Sequence, residues 1–164
     1  MHASTMFVVA CSGTKSPEFI ANGRALACNA YAGQLFRMAR RQVSEARAAW
    51  CILSGKYGFV SPLAGIDYYE QRMQPVRGID DMPHAFELLH DDPTGAGIRC
   101  ASRIIVLGSA LYAEAAAALL RRHVEAPLAG LPIGRMLQRM AAGLVAAELA
   151  RDIPHRQPEL ELAA

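Results

Sequence analysis

No apolar run in these 164 residues approaches the length that spans a bilayer. The opening MHAST also has neither the basic nor the apolar region of a signal peptide. The expectation is a cytoplasmic chain with no membrane association. The four cysteines (Cys11, Cys28, Cys51 and Cys100) are widely scattered, with no C-x-x-C and no histidine at ligand spacing, which argues against a structural zinc. They read as reduced thiols, as a reducing bacterial-type cytosol keeps them. Formal net charge is only +2, so nucleic acid is permitted as a partner without being announced. Walker A, G-x-G-x-x-G after a strand, G-x-S-x-G and H-E-x-x-H are all absent, which makes ATPases, dehydrogenases, serine hydrolases and zincins poor fits. No repeat at solenoid period is found, and neither a cofactor nor a metal is expected.

Lysine is the other scarcity. Of the seventeen lysines and arginines, only Lys15 and Lys56 are lysines, and each follows an apolar run that stops at Ser-Gly: VVACSGTKS and CILSGKYG. Over half the residues are hydrophobic, and the length suits one domain with a substantial core, taken as residues 1–150 with a loose tail over 151–164. Met6–Cys11, Trp50–Leu53 and Arg103–Leu107 are continuous apolar runs of the kind buried on both faces of a parallel sheet. VEAPLAGL reads as a short fourth strand.

Between the first two strands, Asn29 to Ala46 reads as a helix capped by Asn29, with Tyr31, Leu35, Met38 and Val43 inward. LYAEAAAALLRRH and a long final helix entered at Pro132 complete the set, the latter with Ile133, Met136, Leu137, Met140 and Leu144 on one face. This alternation predicts an α/β fold of three layers, a mostly parallel central sheet of about four strands flanked by helices. Residues 65–97 break the rhythm with a long excursion, read as a lid or binding loop containing a short helix at MPHAFELLHDD and a turn at PTGAG.

Ligands of open α/β sheets bind outside the carboxyl ends of the strands. The three strands end in small residues, Ser12-Gly13, Ser54-Gly55 and Gly108-Ser109. Lys15 and Lys56 would enter the crevice as positive charges, and Arg135, in the first turn of the last helix, would join them. The alternative is that these residues cap turns and point into water. In IDYYEQRM, Asp67 or Glu70 could take a ribose hydroxyl or activate a water, and Tyr57 or Tyr69 could stack a base. The alternative there is a solvated acidic loop with tyrosines packed on the domain edge. Cys11 as a nucleophile ranks below a packing role because no histidine is poised beside it. The five histidines read as surface residues.

The ordered motifs CSGTKS, YAGQLF, ILSGKYGFVSP, IDYYEQRM and PLAGLPIGR span residues 6 to about 140. They resemble a bacterial and phage domain family of unknown function that occurs alone or beside nucleic-acid enzymes. The central motif is similar to that of the YaaA peroxide-stress family, whose members bind DNA. The CS-x-x-K element is similar to a domain that accompanies archaeosine-type tRNA-guanine transglycosylases. The chain is shorter than YaaA proteins, which puts double-strand binding in question. Carried over residue by residue, the motif positions are Cys11, Ser12, Lys15, Tyr31, Ser54, Lys56, Tyr57, Gly58, Asp67, Tyr69, Gly130 and Arg135.

The resemblance implies nucleobase, nucleotide or nucleic-acid chemistry. The leading expectation combines it with the strand ends. Ser12, Gly13, Lys15, Ser54, Gly55, Lys56, Tyr69, Gly108 and Arg135 would bind a phosphate-bearing nucleotide unit, and Asp67, Glu70 and Tyr57 would act on its N-glycosidic bond as a hydrolase or transferase. The alternatives are a non-enzymatic DNA or RNA binder and an accessory module that docks a partner enzyme. Oligomeric state is left open.

Overall fold

The computed structural model describes residues 4–89 and 93–153. The elements run β1 (Thr5–Ala10), α1 (Pro17–Asn22), β2 (Arg24–Leu26), α2 (Ala27–Ala30), α3 (Gln34–Glu45), β3 (Ala49–Ser54), β4 (Gly58–Val60), β5 (Gly65–Asp67), α4 (Pro93–Cys100), β6 (Arg103–Leu107), α5 (Ala110–Leu120), α6 (Ile133–Ala141) and α7 (Leu144–Ala150). The main sheet has the order β4-β3-β1-β6. The strands β3, β1 and β6 are parallel, and β4 returns antiparallel beside β3.

Strand β1 is buried along its whole length because it is flanked on both sides and covered on both faces. Alternate side chains enter different cores, as the two-residue period of a strand requires. Phe7 and Val9 join Ile52 and Ile105 against Phe36, Ala39 and Val43 of α3 and Met136 and Met140 of α6. Met6 and Val8 join Leu53 and Val106 against Ile98 of α4 and Ala115, Ala116 and Leu119 of α5. Burying one large apolar side chain stabilises by about 1.5–3 kcal/mol, so substitutions along β1 should be felt in both layers. The α/β fold with a mostly parallel four-stranded sheet between helical layers is the one the sequence implied.

Several details differ. The fourth strand is β4, not VEAPLAGL, which contributes a single bridge between Glu125 and Ile105. Pro127 has no N–H with which to continue that ladder. Asn29 lies inside α2, and α3 begins at Gln34 after Gly33, so its core residues are Phe36, Ala39 and Val43. The final helix is two, broken at Gly143, whose φ of +86° is left-handed, and Ile133 at its start is exposed.

MPHAFELLHDD is a run of turns through Leu89, its residues 90–92 lying outside those described, and PTGAG opens α4 rather than making a turn. Helix α1 and the small antiparallel sheet of β2 and β5 were not anticipated. Arg151 and Asp152, assigned by sequence to the tail, are tied into the domain, with Asp152 2.6 Å from Arg103, while residues 154–164 lie outside those described. The sheet edges are covered by short contacts, β4 by the Ala85 carbonyl and a bridge from Val60 to Leu88, and β6 by Glu125.

Candidate functional site

The chain leaves β1 for β3 on one side and later places β6 on the other. The carboxyl end of β1 is therefore where the connections part, the position at which open α/β sheets form their ligand crevice. Two cavities meet there. The larger, about 770 Å³, is lined by residues 11–15, by residues 70–73, and by Leu111 and Tyr112. The second, about 420 Å³, is mostly apolar and lies between the β1 and β6 ends and helices α3 and α6, with Phe36, Gly108, Met136 and Leu137 in its wall. Cys11, Ser12 and Tyr112 belong to both.

Beneath Lys15, one of the residues lining the larger cleft, lies a buried polar network. Ser54 Oγ accepts from the backbone N–H groups of Lys56 (3.2 Å) and Tyr57 (3.1 Å), which directs its own proton to Tyr69 Oη at 2.7 Å. The hydroxyls of Tyr69 and Tyr31 are 2.6 Å apart. Burial, reinforced by proximity to Cys11, holds both phenols well above the ordinary tyrosine range, so they remain neutral donors. Burial raises Tyr112 in the same way, and its hydroxyl lies 3.3 Å from Cys11 Sγ.

Above the two rings sits Lys15. Its Nζ lies 4.8 Å from the centre of Tyr69 and 5.6 Å from that of Tyr31, a cation–π seat. It donates to the carbonyls of Ser12 (3.1 Å) and Gly13 (3.3 Å). Burial pulls its pKa below the usual lysine value, against the opposing influence of Cys11 and Glu70.

The loop itself is pinned at Ser12, whose Oγ donates to Thr14 O at 2.7 Å and accepts from Gly33 N at 3.0 Å. The opposite wall, residues 70–73, has no regular structure. It is held by buried Met73 and by its close approach to Gly55, where an added Cβ would lie 2.5 Å from Met73 N. That wall carries Glu70, Gln71 and Arg72, all exposed. Glu70 accepts from Tyr68 Oη at 2.6 Å.

Of the residues singled out by sequence, Ser12, Gly13, Lys15 and Glu70 line this one cleft. Ser54 and Tyr69 belong to the network beneath Lys15 and do not line the cleft, and Gly55 packs against the wall of residues 71–73. Gly108 lines the apolar cavity, packed so closely on Ala10 that a Cβ there would come within 2.6 Å. The remainder are placed apart from the cleft lining. Lys56 lies over the ring of its neighbour Tyr57 (5.1 Å) and its carbonyl accepts from His84 Nε2 at 2.5 Å. Tyr57 donates to Asp67 O at 3.0 Å and packs edge-on against Tyr69. The Asp67 carboxylate is exposed on β5, 3.5 Å from Arg24. Arg135 is exposed in the first turn of α6.

Tyr112 and Arg72 were missed. The available signal for Tyr112 was its position one turn after the Gly108-Ser109 strand end. Among the described residues no cluster of metal-ligating side chains is present, and no helix is long and apolar enough to cross a membrane.

A family model described as a family of unknown function (DUF6884) matches residues 6–142. No curated protein and no solved structure matches the chain.

Proposed function

The chain belongs to this family of unknown function, and from its site we propose that it binds a phosphate-bearing nucleotide, free or within nucleic acid, and cleaves its N-glycosidic bond. The observation that carries the reading is the junction of a charged cleft with an apolar one over Cys11, Ser12 and Tyr112. Each cavity falls within the usual size range of small-molecule pockets. A nucleotide has the matching two-part chemistry. Its phosphate suits the loop of residues 12–15 beneath the charges of Lys15 and Arg72, and its base suits the apolar space beside Phe36 and Met136. The bond between sugar and base then lies over the junction. The resemblance of the motifs to YaaA and to the transglycosylase-associated domain supports the same substrate class.

In this reading Glu70 is the carboxylate that reaches the reacting centre. It takes a proton from a water as the water oxygen bonds to C1′ and the C1′–N bond breaks, and the departing base nitrogen is protonated by solvent. Tyr57 and Asp67 act as positioning residues, since Tyr57 ties the β3–β4 turn to the backbone of the segment that leads into Glu70. A base within a duplex must first be extruded to reach such a cleft.

The test is incubation with nucleoside monophosphates and with oligonucleotides carrying modified bases, following free base by chromatography. Wild type is expected to release base. Glu70→Gln is expected to lose release at least about 100-fold while still binding, as removal of a general base does. Absence of nucleotide binding at millimolar concentration would overturn the proposal. Binding that weakens steeply with salt and yields no base would leave a non-enzymatic binder.

A further inference from the structure

In the loop between β1 and α1 the carbonyls of residues 12–14 are engaged by protein donors, while the amides of residues 12–15 are not. Ser12 O and Gly13 O accept from Lys15 Nζ, and Thr14 O accepts from Ser12 Oγ and from Ala32 N at 2.9 Å. Among the described residues, the backbone N–H groups of Ser12, Gly13, Thr14 and Lys15 donate to no protein acceptor. The four are consecutive and belong to residues that line the 770 Å³ cleft. Nothing stands within 4 Å of the position a Gly13 Cβ would take, so the backbone there is open to approach. Backbone polar groups that find no protein partner are paired with water or with ligand. A run of successive N–H groups is an anion-binding concavity.

We infer that residues 12–15 form a backbone-amide nest for phosphate oxygens, and that Lys15 is a positioning residue that keeps the nest's carbonyls turned away. The inference rests on the phosphate half of the proposed function and changes the part Lys15 plays in it. Two of the three ammonium hydrogens are spent on carbonyls of its own loop, and the ammonium nitrogen sits over the rings of Tyr31 and Tyr69. Without those two bonds the Ser12 and Gly13 carbonyls would be free to turn toward the cleft, where their dipoles repel an anion. The positive charge still contributes at short range, but the directional donors to the ligand are amides. Phosphate, with several acceptor oxygens, suits such donors.

The experiment titrates inorganic phosphate into the ¹⁵N-labelled full chain, with chloride at matched ionic strength as the control, and then repeats the titration with a nucleoside monophosphate. The amide resonances of Gly13, Thr14 and Lys15 are expected to shift with phosphate and not with chloride. Lys15→Arg keeps the charge but cannot sit on both carbonyls and both rings in the same way, so it is expected to lose phosphate affinity about as far as Lys15→Met, at least tenfold. Thermal unfolding of each variant, and the shifts of remote amides in α5, establish that the fold is kept.

Unmoved amides at 13–15, or an Arg variant that binds as wild type does, would overturn the nest. Phosphate shifts at 13–15 with no tighter binding of the nucleotide would uphold the nest and sink the nucleotide reading. Nucleotide binding that shifts only residues of the apolar cavity would do the reverse.

Discussion

The hydroxyls of Tyr31 and Tyr69 meet 2.6 Å apart beneath the Lys15 ammonium, and the direction of hydrogen bonding runs toward them from Ser54. Ser54 Oγ already accepts two backbone N–H groups, so its proton goes to Tyr69. A buried hydroxyl with three partners is costly to remove. Ser54→Ala is expected to destabilise the fold by about 2–3 kcal/mol, because it orphans two amides as well as the Tyr69 oxygen. Tyr31→Phe, at the end of the chain, should cost about 1 kcal/mol. Urea unfolding of the two variants checks the order, and equal losses would contradict the directionality.

The same tyrosines set the alkaline limit. Tyr31, Tyr69 and Tyr112 all have folded pKa values raised by burial above the ordinary tyrosine value of 10.0. Over the interval between the unfolded and folded values the native state keeps protons that the unfolded chain releases. Stability is therefore full below about pH 10 and falls as pH rises toward the folded values. Ultraviolet titration of phenolate is expected to show these three rings ionising only as the protein unfolds.

On the acid side the controlling group is Arg103. It holds Glu125 at 2.8 Å, Glu148 at 2.8 Å and Asp152 at 2.6 Å, and Thr5 adds a short hydrogen bond to Asp152. The bond from Arg103 lowers the Glu125 pKa. At Asp152 burial opposes ionisation, but the bonds from Thr5 and Arg103 outweigh it. For these depressed carboxylates the stabilisation is present above the unfolded carboxylate values of about 4 and is lost as pH falls through the folded ones. Arg103→Met leaves three carboxylates around a missing cation and is expected to cost about 3 kcal/mol at neutral pH. Thermal melts at pH 7 and below pH 4 should show the gap between variant and wild type closing on acidification.

Two glycines of the paired Ser-Gly motifs are expected to behave oppositely. At Gly55 an alanine Cβ would stand 2.5 Å from Met73 N and 2.8 Å from the Arg72 carbonyl carbon, backbone that cannot swing aside. Gly55→Ala should cost at least about 2 kcal/mol, roughly 4–8 °C in Tm for a domain of this size, and should displace the wall that carries Glu70. Gly13→Ala meets open space and should stay within about 0.5 kcal/mol. Calorimetric melts of both variants make the comparison.

Cys11 lies between the two cavities, whereas Cys100 is exposed and Cys28 and Cys51 are buried. Saturating nucleoside monophosphate is expected to slow iodoacetamide alkylation of Cys11 about tenfold, as mass action at a shared site requires, and to leave Cys100 unchanged. Peptide mapping by mass spectrometry reads both rates, and an unprotected Cys11 would count against the nucleotide pose.

What the sequence made legible was whatever long-range burial writes into a short run. Residues 6–11, 50–53 and 104–107 are uninterruptedly apolar because both sheet faces are covered, and their small-residue ends marked the carboxyl edge of the sheet. The β2–β5 pair was invisible because strands of three residues, each with one inward and two exposed side chains, are too short to show a periodicity. MPHAFELLHDD has helical composition, yet its backbone bonds Phe59 N to Ala85 O and covers the β4 edge at Leu88. Tertiary pairing overrode propensity there. Tyr112 was hidden in an alanine-rich helix whose pattern spoke only of packing. Lys15 and Lys56 looked like twins in sequence, and they part company because one loop folds over tyrosine faces and the other turns back into a hairpin.

The covers on the two edges of the main sheet have a consequence for how this protein associates. Leu88 closes β4, while Glu125 takes Val106 N and gives its own N–H to Ile104 O along β6. Each cover is short, but it occupies the groups through which an added strand would have to start its ladder. An added strand is thereby disfavoured at both edges of the main sheet. The outer edges of this sheet are closed by three residues, Ala85, Leu88 and Glu125, that belong to no strand.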